Sequence, residues 1–324
     1  MSEKRLRALD IAKGIAIILV VIGHAVPDAT THMGIQSDVL AIMHRLIYSF
    51  HMPLFFLISG YFVNTLAENQ SRVSAIWKKF QRLMVPYIFV GLCYAPCKLL
   101  LSQFANDPFH LSNLWKMVIG VNPDGELWFL YSLFVISAFA YLTKAKVGKA
   151  WIICSGIIGG GTQWLPVLPG NVLFFQFFFF LGMYIKQHDA EWFRKISWKS
   201  FAGLLVLWGA LNVLMCYGMV PSAKLFTGIF GSFCTLRLAV WLEKSDAWLV
   251  KALEVAGLYC MEIYILSDII KIPIRIILWS KLHMYYTAFL ACSIVDTILP
   301  IWIKKYIISR WSLLNYLCFG ENKT

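Results

Sequence analysis

The sequence predicts an all-α, polytopic integral membrane bundle of about ten transmembrane helices, with the N- and C-termini cytoplasmic. Three observations predict it. First, 59% of the 324 residues are hydrophobic and only 14% are charged, against about 45–50% apolar and about 25% charged in a soluble domain; the mean hydropathy is +0.68. Second, the apolar residues fall in runs, and ten spans of about 20 residues would use roughly 200 positions. Third, Lys and Arg collect in alternate gaps between runs, as they do in cytoplasmic loops. This composition excludes disorder, collagen and a disulfide miniprotein, and argues against a water-soluble enzyme. No room remains for a large soluble domain, so residues 1–324 read as a single transmembrane domain.

The runs place helices at 11–27, 51–67, 84–104, 126–142, 150–165, 171–185, 200–217, 223–242, 253–270 and 285–303. Turn residues such as Asn122-Pro123-Asp124-Gly125 punctuate the gaps. The amphipathic segment 35–50 is short enough to lie along the membrane surface between the first two spans. With the N-terminus inside, cytoplasmic segments hold 20 of the 29 Lys and Arg residues. External segments hold six: Arg45, Lys116, Lys224, Lys271, Arg275 and Lys281. This bias accounts for the net charge of +12 without a nucleic acid partner. The first run follows Lys4, Arg5 and Arg7 as a signal peptide would, but it lacks a small-residue cleavage site and holds Lys13 and His24, so it reads as a retained span. The eight cysteines form no CxxC pair and read as packed free thiols. No zinc pattern, phosphate loop or EF-hand occurs, so no metal is expected. No internal repeat is evident, which counts against a transporter built from inverted halves.

The first helix carries the chemistry. Asp10, Lys13 and His24 interrupt a segment otherwise built of Ile, Ala, Val, Leu and Gly, and an ionisable group at membrane depth normally faces a cavity or a partner. Eleven residues separate Lys13 from His24, close to three full turns, so both share one helix face roughly 16 Å apart. Asp10 lies near the same stripe. Asp10 and Lys13 also suit interfacial anchors, and His24 also suits a packed histidine. The functional alternative is a general base, because imidazole titrates near neutral pH and accepts a proton from a hydroxyl.

These residues resemble a known family. Arg7-Ala8-Leu9-Asp10-Ile11-Ala12-Lys13 with Val21-Ile22-Gly23-His24 looks like the opening of the membrane-bound acyltransferase-3 family. So do His51-Met52-Pro53 through Ser59-Gly60-Tyr61-Phe62, Arg82-Leu83-Met84-Val85-Pro86-Tyr87, Glu126-Leu127-Trp128-Phe129-Leu130 and Gly257-Leu258-Tyr259 through Ser267. The landmarks follow family order over nearly the whole length. Members resemble fucose 4-O-acetylase-like and polysaccharide-modifying enzymes. They transfer acetyl, less often succinyl, from coenzyme A to a sugar hydroxyl at the bacterial cytoplasmic membrane. Two positions depart from the pattern: Lys13 stands where the family usually has Arg, losing bidentate geometry, and Ser267, followed by Asp268, stands where a late histidine is common.

The resemblance implies an integral-membrane O-acyltransferase using acetyl-CoA, with His24 as base and Glu126 orienting it or binding the acceptor. Asp10, Lys13, Arg82, Lys78 and Lys79 are the expected donor-binding residues at the cytoplasmic mouth, although Lys78 and Lys79 also suit ordinary positive-inside decoration. His51, Trp128 and Asn171 are the expected acceptor-side residues, with Trp164 a further stacking candidate; interfacial tryptophan belts explain the tryptophans equally well. Ser59-Gly60 reads as a helix-packing pair. The expected partners are the lipid bilayer and a cell-surface polysaccharide or lipid-linked sugar; a homo-oligomer is compatible. The alternative is an exporter of a glycan or its lipid-linked precursor, which vesicle flux without acyl-CoA would reveal. A scaffolding relative that has lost activity is a third reading.

Overall fold

The computed structural model describes residues 6–26, 38–63, 71–100, 110–143, 147–162, 165, 167–218 and 223–321. Lys4, Arg5, Trp164 and the ends of the expected second and third spans (64–67 and 101–104) lie outside the described residues. Those described form helices without a strand: α1 (Arg7–Ala25), α2 (Asp38–Tyr48), α3 (His51–Tyr61), α4 (Arg72–Leu100), α5 (Trp128–Leu142), α6 (Lys149–Gly161), α7 (Val167–His188), α8 (Trp198–Cys216), α9 (Lys224–Leu242), α10 (Trp248–Leu258), α11 (Cys260–Ile274), α12 (Tyr285–Tyr306) and α13 (Ser312–Phe319). Among them, seven stretches are long and apolar enough to cross a membrane: α1, Val39–Tyr61, α4, Gly125–Leu142, α8, α9 and Tyr285–Arg310.

Three expectations need correction. The third helix starts at Arg72 rather than 84, so Lys78, Lys79 and Arg82 are helical and not loop residues. Lys, Arg and Gln are good helix formers, and the two internal prolines, Pro86 and Pro96, do not end the helix. The segment 35–50 does not stand apart from its neighbours, because α2 runs into α3 across only Ser49 and Phe50. The ninth helix breaks at Tyr259 into α10 and α11 and continues past 270 into a π-helical segment, Arg275–Lys281. Lys271, assigned to an external loop by counting, is therefore buried within α11. Hydropathy treats a lysine as the end of a span, but Asp268 one turn earlier pairs with it at 2.6 Å, and the pair stays inside.

α1 is the central helix. In its apolar window 67% of the residues are buried, against 6% for α8, which stands at the periphery. The outward residues of α8, including Leu205, Val206 and Val213, are exposed, as lipid-facing side chains would be. Glycine pairs set the tight crossings. A Cβ on Gly14 would lie 1.8 Å from the Leu253 carbonyl oxygen, and one on Gly257 would lie 1.8 Å from that of Asp10. This backbone contact locks α1 to α10. Gly60 and Gly182 do the same for α3 and α7, with distances of 1.9 and 2.0 Å to the Phe179 and Leu57 oxygens. Small residues permitting such approach are the usual membrane-helix interface. Arg7 fixes the start of α1 by donating to Glu254 (2.9 Å) and to the carbonyls of Glu243 and Ser245.

Candidate active site

At the upper end of α1 the His24 Nδ1 lies 3.2 Å from Glu126 Oε1 and 3.0 Å from the Tyr48 hydroxyl, which is 3.4 Å from Nε2. Each partner is placed by a chain of contacts traceable to sequence. Tyr48 reaches His24 because Gly23 carries no side chain: a Cβ there would meet the Tyr48 ring at 2.9 Å. The Tyr48 ring is stacked on His44 (4.0 Å) and meets His51 edge-on (4.8 Å). His51 itself is buried, with Nδ1 bonded to the Ile47 carbonyl at 2.7 Å.

Glu126 is set by the loop that precedes α5. The Tyr87 hydroxyl donates to the Met117 carbonyl (3.0 Å), and Asn122 Nδ2 donates to the Tyr87 carbonyl (2.9 Å). Asn122 Oδ1 accepts from the Asp124 amide, and Asp124 Oδ1 accepts from the Glu126 amide, both at 3.0 Å. Asp124 thus caps the turn that carries Glu126. The Tyr264 hydroxyl donates to the Glu126 carbonyl. Lys271 Nζ closes the cluster, 2.8 Å from Glu126 Oε1 and 2.6 Å from Asp268 Oδ1. Tyr94 hydrogen-bonds to Asp268. Four helices and one loop therefore converge on a single imidazole.

At the lower end, Lys13 Nζ pairs with Asp10 Oδ1 at 2.8 Å. Lys13 and Arg82 both line a cavity of about 190 Å³. It climbs α1 past Ile17 to Val20, is walled by Phe55 and Phe129, and reaches Tyr264. Val20 stands one turn, roughly 6 Å, below His24. Arg82 also donates to the Phe319 carbonyl (2.7 Å) and to Glu321 Oε1 (2.8 Å).

The structure thus brings together His24 with Glu126, and Lys13 with Asp10 and Arg82. Lys78 is exposed and Lys79 half-buried on α4, one turn before Arg82, and neither lines the cavity. His51 lies beneath Tyr48. Trp128 packs inward with Phe56 and Phe175. Asn171 is half-buried in α7. Ser59 lines the cavity and Gly60 makes the α3–α7 contact. Ser267 is buried and bonded to the Tyr264 carbonyl at 3.4 Å. Tyr48, Asp268, Lys271 and Tyr264 were not expected. The readable signal for two of them was the i,i+3 spacing of Asp268 and Lys271 in an apolar segment. Among the described residues no group of three or more His, Cys, Asp or Glu is arranged to hold a metal ion.

Two curated proteins are similar to this chain, both named nodulation protein NolL. That of Mesorhizobium japonicum is 23% identical over 219 residues, covering 67% of this chain and 57% of its own length. That of Sinorhizobium fredii is 29% identical over 158 residues, covering 46% and 40%. The chain spans about half the length of these relatives. No solved structure matches it. The family model described as an acyltransferase domain matches residues 6–303, which takes in the His24 cluster, the Lys13 pair and the cavity between them: the chain belongs to the membrane-bound acyltransferase-3 family.

Proposed function

We propose that this chain is an integral-membrane O-acyltransferase that moves an acetyl or other short acyl group from acyl-CoA to a hydroxyl of a cell-surface carbohydrate. The observation that carries the reading is one cavity lined at its lower end by Lys13 and Arg82 and leading up α1 toward the His24–Glu126 pair. Ten spans with both termini in the cytoplasm of a bacterium put the lower end beside cytosolic coenzyme A and His24 near the outer face. Lys13, held by Asp10, and Arg82 bind the donor's polar groups, with Lys78 and Lys79 adding long-range attraction. The apolar cavity takes the pantetheine arm, whose reach matches the roughly 16 Å from Lys13 to His24.

In the transfer step Glu126 holds the Nδ1 proton, which leaves the Nε2 lone pair free to act as base. The acceptor hydroxyl gives its proton to Nε2 while its oxygen attacks the thioester carbonyl carbon. The C–S bond breaks, and the imidazolium returns the proton to the leaving thiolate. Asn171 is retained as an acceptor-side residue, and His51 and Trp128 act by supporting the groups that reach the site. Lys271 neutralises the paired carboxylates of Glu126 and Asp268, which otherwise could not share a buried site.

The test is acyl transfer or hydrolysis by the purified chain with acetyl-CoA. His24→Ala is expected to lower turnover by about 10²–10⁴-fold, the usual worth of a positioned base, with an unchanged elution profile. Full turnover in His24→Ala would remove the mechanism.

A further inference from the structure

Lys304 of α12 belongs to none of the groups assigned above, yet it is buried. Its Nζ bonds to Glu321, to Asn315 Oδ1 at 2.6 Å and lies 3.4 Å from Glu262. The Glu321 carboxylate spans two cations from different helices: Oε1 meets Arg82 Nη1 at 2.8 Å, and Oε2 meets Lys304. Two oxygens of one anion, each held by a separate cation, is how a phosphate group is bound. Arg82 is at the same time a wall of the cavity it shares with Lys13.

We propose that Arg82 and Lys304, with Asn315 orienting the lysine, form a phosphate-binding site for the acyl donor, and that the Glu321 carboxylate is an intramolecular competitor for it. This rests on the reading of the chain as a coenzyme A-dependent acyltransferase. Charge favours the exchange. Arg82 and Lys304 face Glu321 and Glu262, and replacing one carboxylate by a phosphate keeps the buried lysine compensated. An uncompensated buried cation is strongly unfavourable.

Geometry favours it too. Gly320 adopts φ +63° and its backbone lies on α4, where a Cβ would sit 2.2 Å from the Gln81 carbonyl oxygen. α13 is anchored independently, through Arg82 to the Phe319 carbonyl and Gln81 to Tyr316. Glu321 lies just beyond that anchor, and its side chain is 37% exposed while that of Lys304 is 10% exposed. Rotation at residue 321 therefore releases the carboxylate toward solvent without moving α13 or the lysine.

The phosphate could come from coenzyme A or from a lipid headgroup. The experiment measures coenzyme A affinity of the full chain in lipid-free micelles and, separately, phosphatidylglycerol binding. Glu321→Gln is expected to tighten coenzyme A binding by about 5-fold, the worth of a partly exposed ion pair. Lys304→Gln is expected to weaken binding, and the double variant to lose the gain. A gain for phosphatidylglycerol with none for coenzyme A would overturn the assignment to the donor. So would unchanged or weaker coenzyme A binding in a Glu321→Gln protein of native elution and melting temperature. In the wild-type chain, which avoids any folding defect, coenzyme A is expected to raise hydrogen exchange at Gly320 and Glu321. Unchanged or reduced exchange would count against the competition. Wild-type protein that binds no coenzyme A at all would instead overturn the functional reading and this proposal together.

Discussion

At the scale of single residues, the site depends on hydrogen bonds that the imidazole makes and on charges that cancel around it. Tyr48→Phe keeps the ring packed over Gly23 and removes only the hydroxyl 3.0 Å from His24 Nδ1. A net hydrogen bond is worth about 0.5–1.5 kcal/mol, so kcat is expected to fall by roughly 2- to 10-fold with little change in thermal stability. Lys271→Met is expected to behave oppositely. It leaves Glu126 and Asp268 as neighbouring carboxylates without their cation, and breaking a buried pair from one side costs about 3–5 kcal/mol. Thermal unfolding in detergent checks this. Adding Asp268→Asn to Lys271→Met should recover part of the loss, because it removes one of the two stranded charges. Glu321 gives a pH signature outside the spans. Burial raises its pKa, but the hydrogen bond from Lys304 and the Arg82 charge outweigh burial and hold it below the ordinary glutamate value. A depressed folded-state pKa stabilises above the unfolded value of about 4.5 and is lost as pH falls through the folded value. Wild type should therefore lose more melting temperature than Glu321→Gln as the buffer is taken from neutral into that acidic range.

At the scale of elements, helix crossings decide whether those residues meet. α1 approaches α10 backbone to backbone at Gly14 and Gly257. Gly14→Ala would place a methyl carbon 1.8 Å from the Leu253 oxygen, so the helices must separate. Overpacking of this kind costs about 1–3 kcal/mol, and the separation also shifts Asp10 and Lys13 relative to the cavity. Both melting temperature and turnover are expected to drop. Gly209→Ala in α8 is the matched control: nothing lies within 4 Å of its added carbon. There alanine should be neutral or stabilising by about 0.5–1 kcal/mol, since it restricts the unfolded chain and favours helix. Equal losses at the two positions would show that the close approach of α1 and α10 is not what sets stability. The break between α10 and α11 at Tyr259 has a comparable positional role, because it starts the helix that carries Tyr264, Asp268 and Lys271 to the Glu126 loop.

At the scale of the whole molecule, polar groups occupy the two ends of one central helix and an apolar cavity rises between them. The lower end gathers Asp10, Lys13, Arg82, Lys304 and Glu321, and the upper end gathers Tyr48, Glu126, Asp268 and Lys271 around His24. Peripheral helices such as α8 supply an apolar exterior. The arrangement lets donor and acceptor approach from opposite sides without a large rearrangement of the bundle. A donor that carries only a truncated arm should bind at the lower end yet fail to reach His24. Its kcat is thus expected to fall more steeply than its affinity, as measured with acetylated pantetheine fragments against acetyl-CoA.

Composition, hydropathy and charge alternation along the chain were enough to reveal an all-helical membrane protein. Helical periodicity alone put Lys13 and His24 on one face, because both lie in a single uninterrupted helix and their relation depends only on 3.6 residues per turn. Glu126 was legible through its motif. What the tertiary structure decided was every pairing between distant segments: Tyr48 over Gly23, Lys271 between Glu126 and Asp268, and Glu321 on Arg82 and Lys304. The reason is physical. A lone lysine in an apolar run reads as the end of a span until a packed neighbour supplies its counter-charge, and that neighbour is chosen by how helices cross, not by their order in the chain.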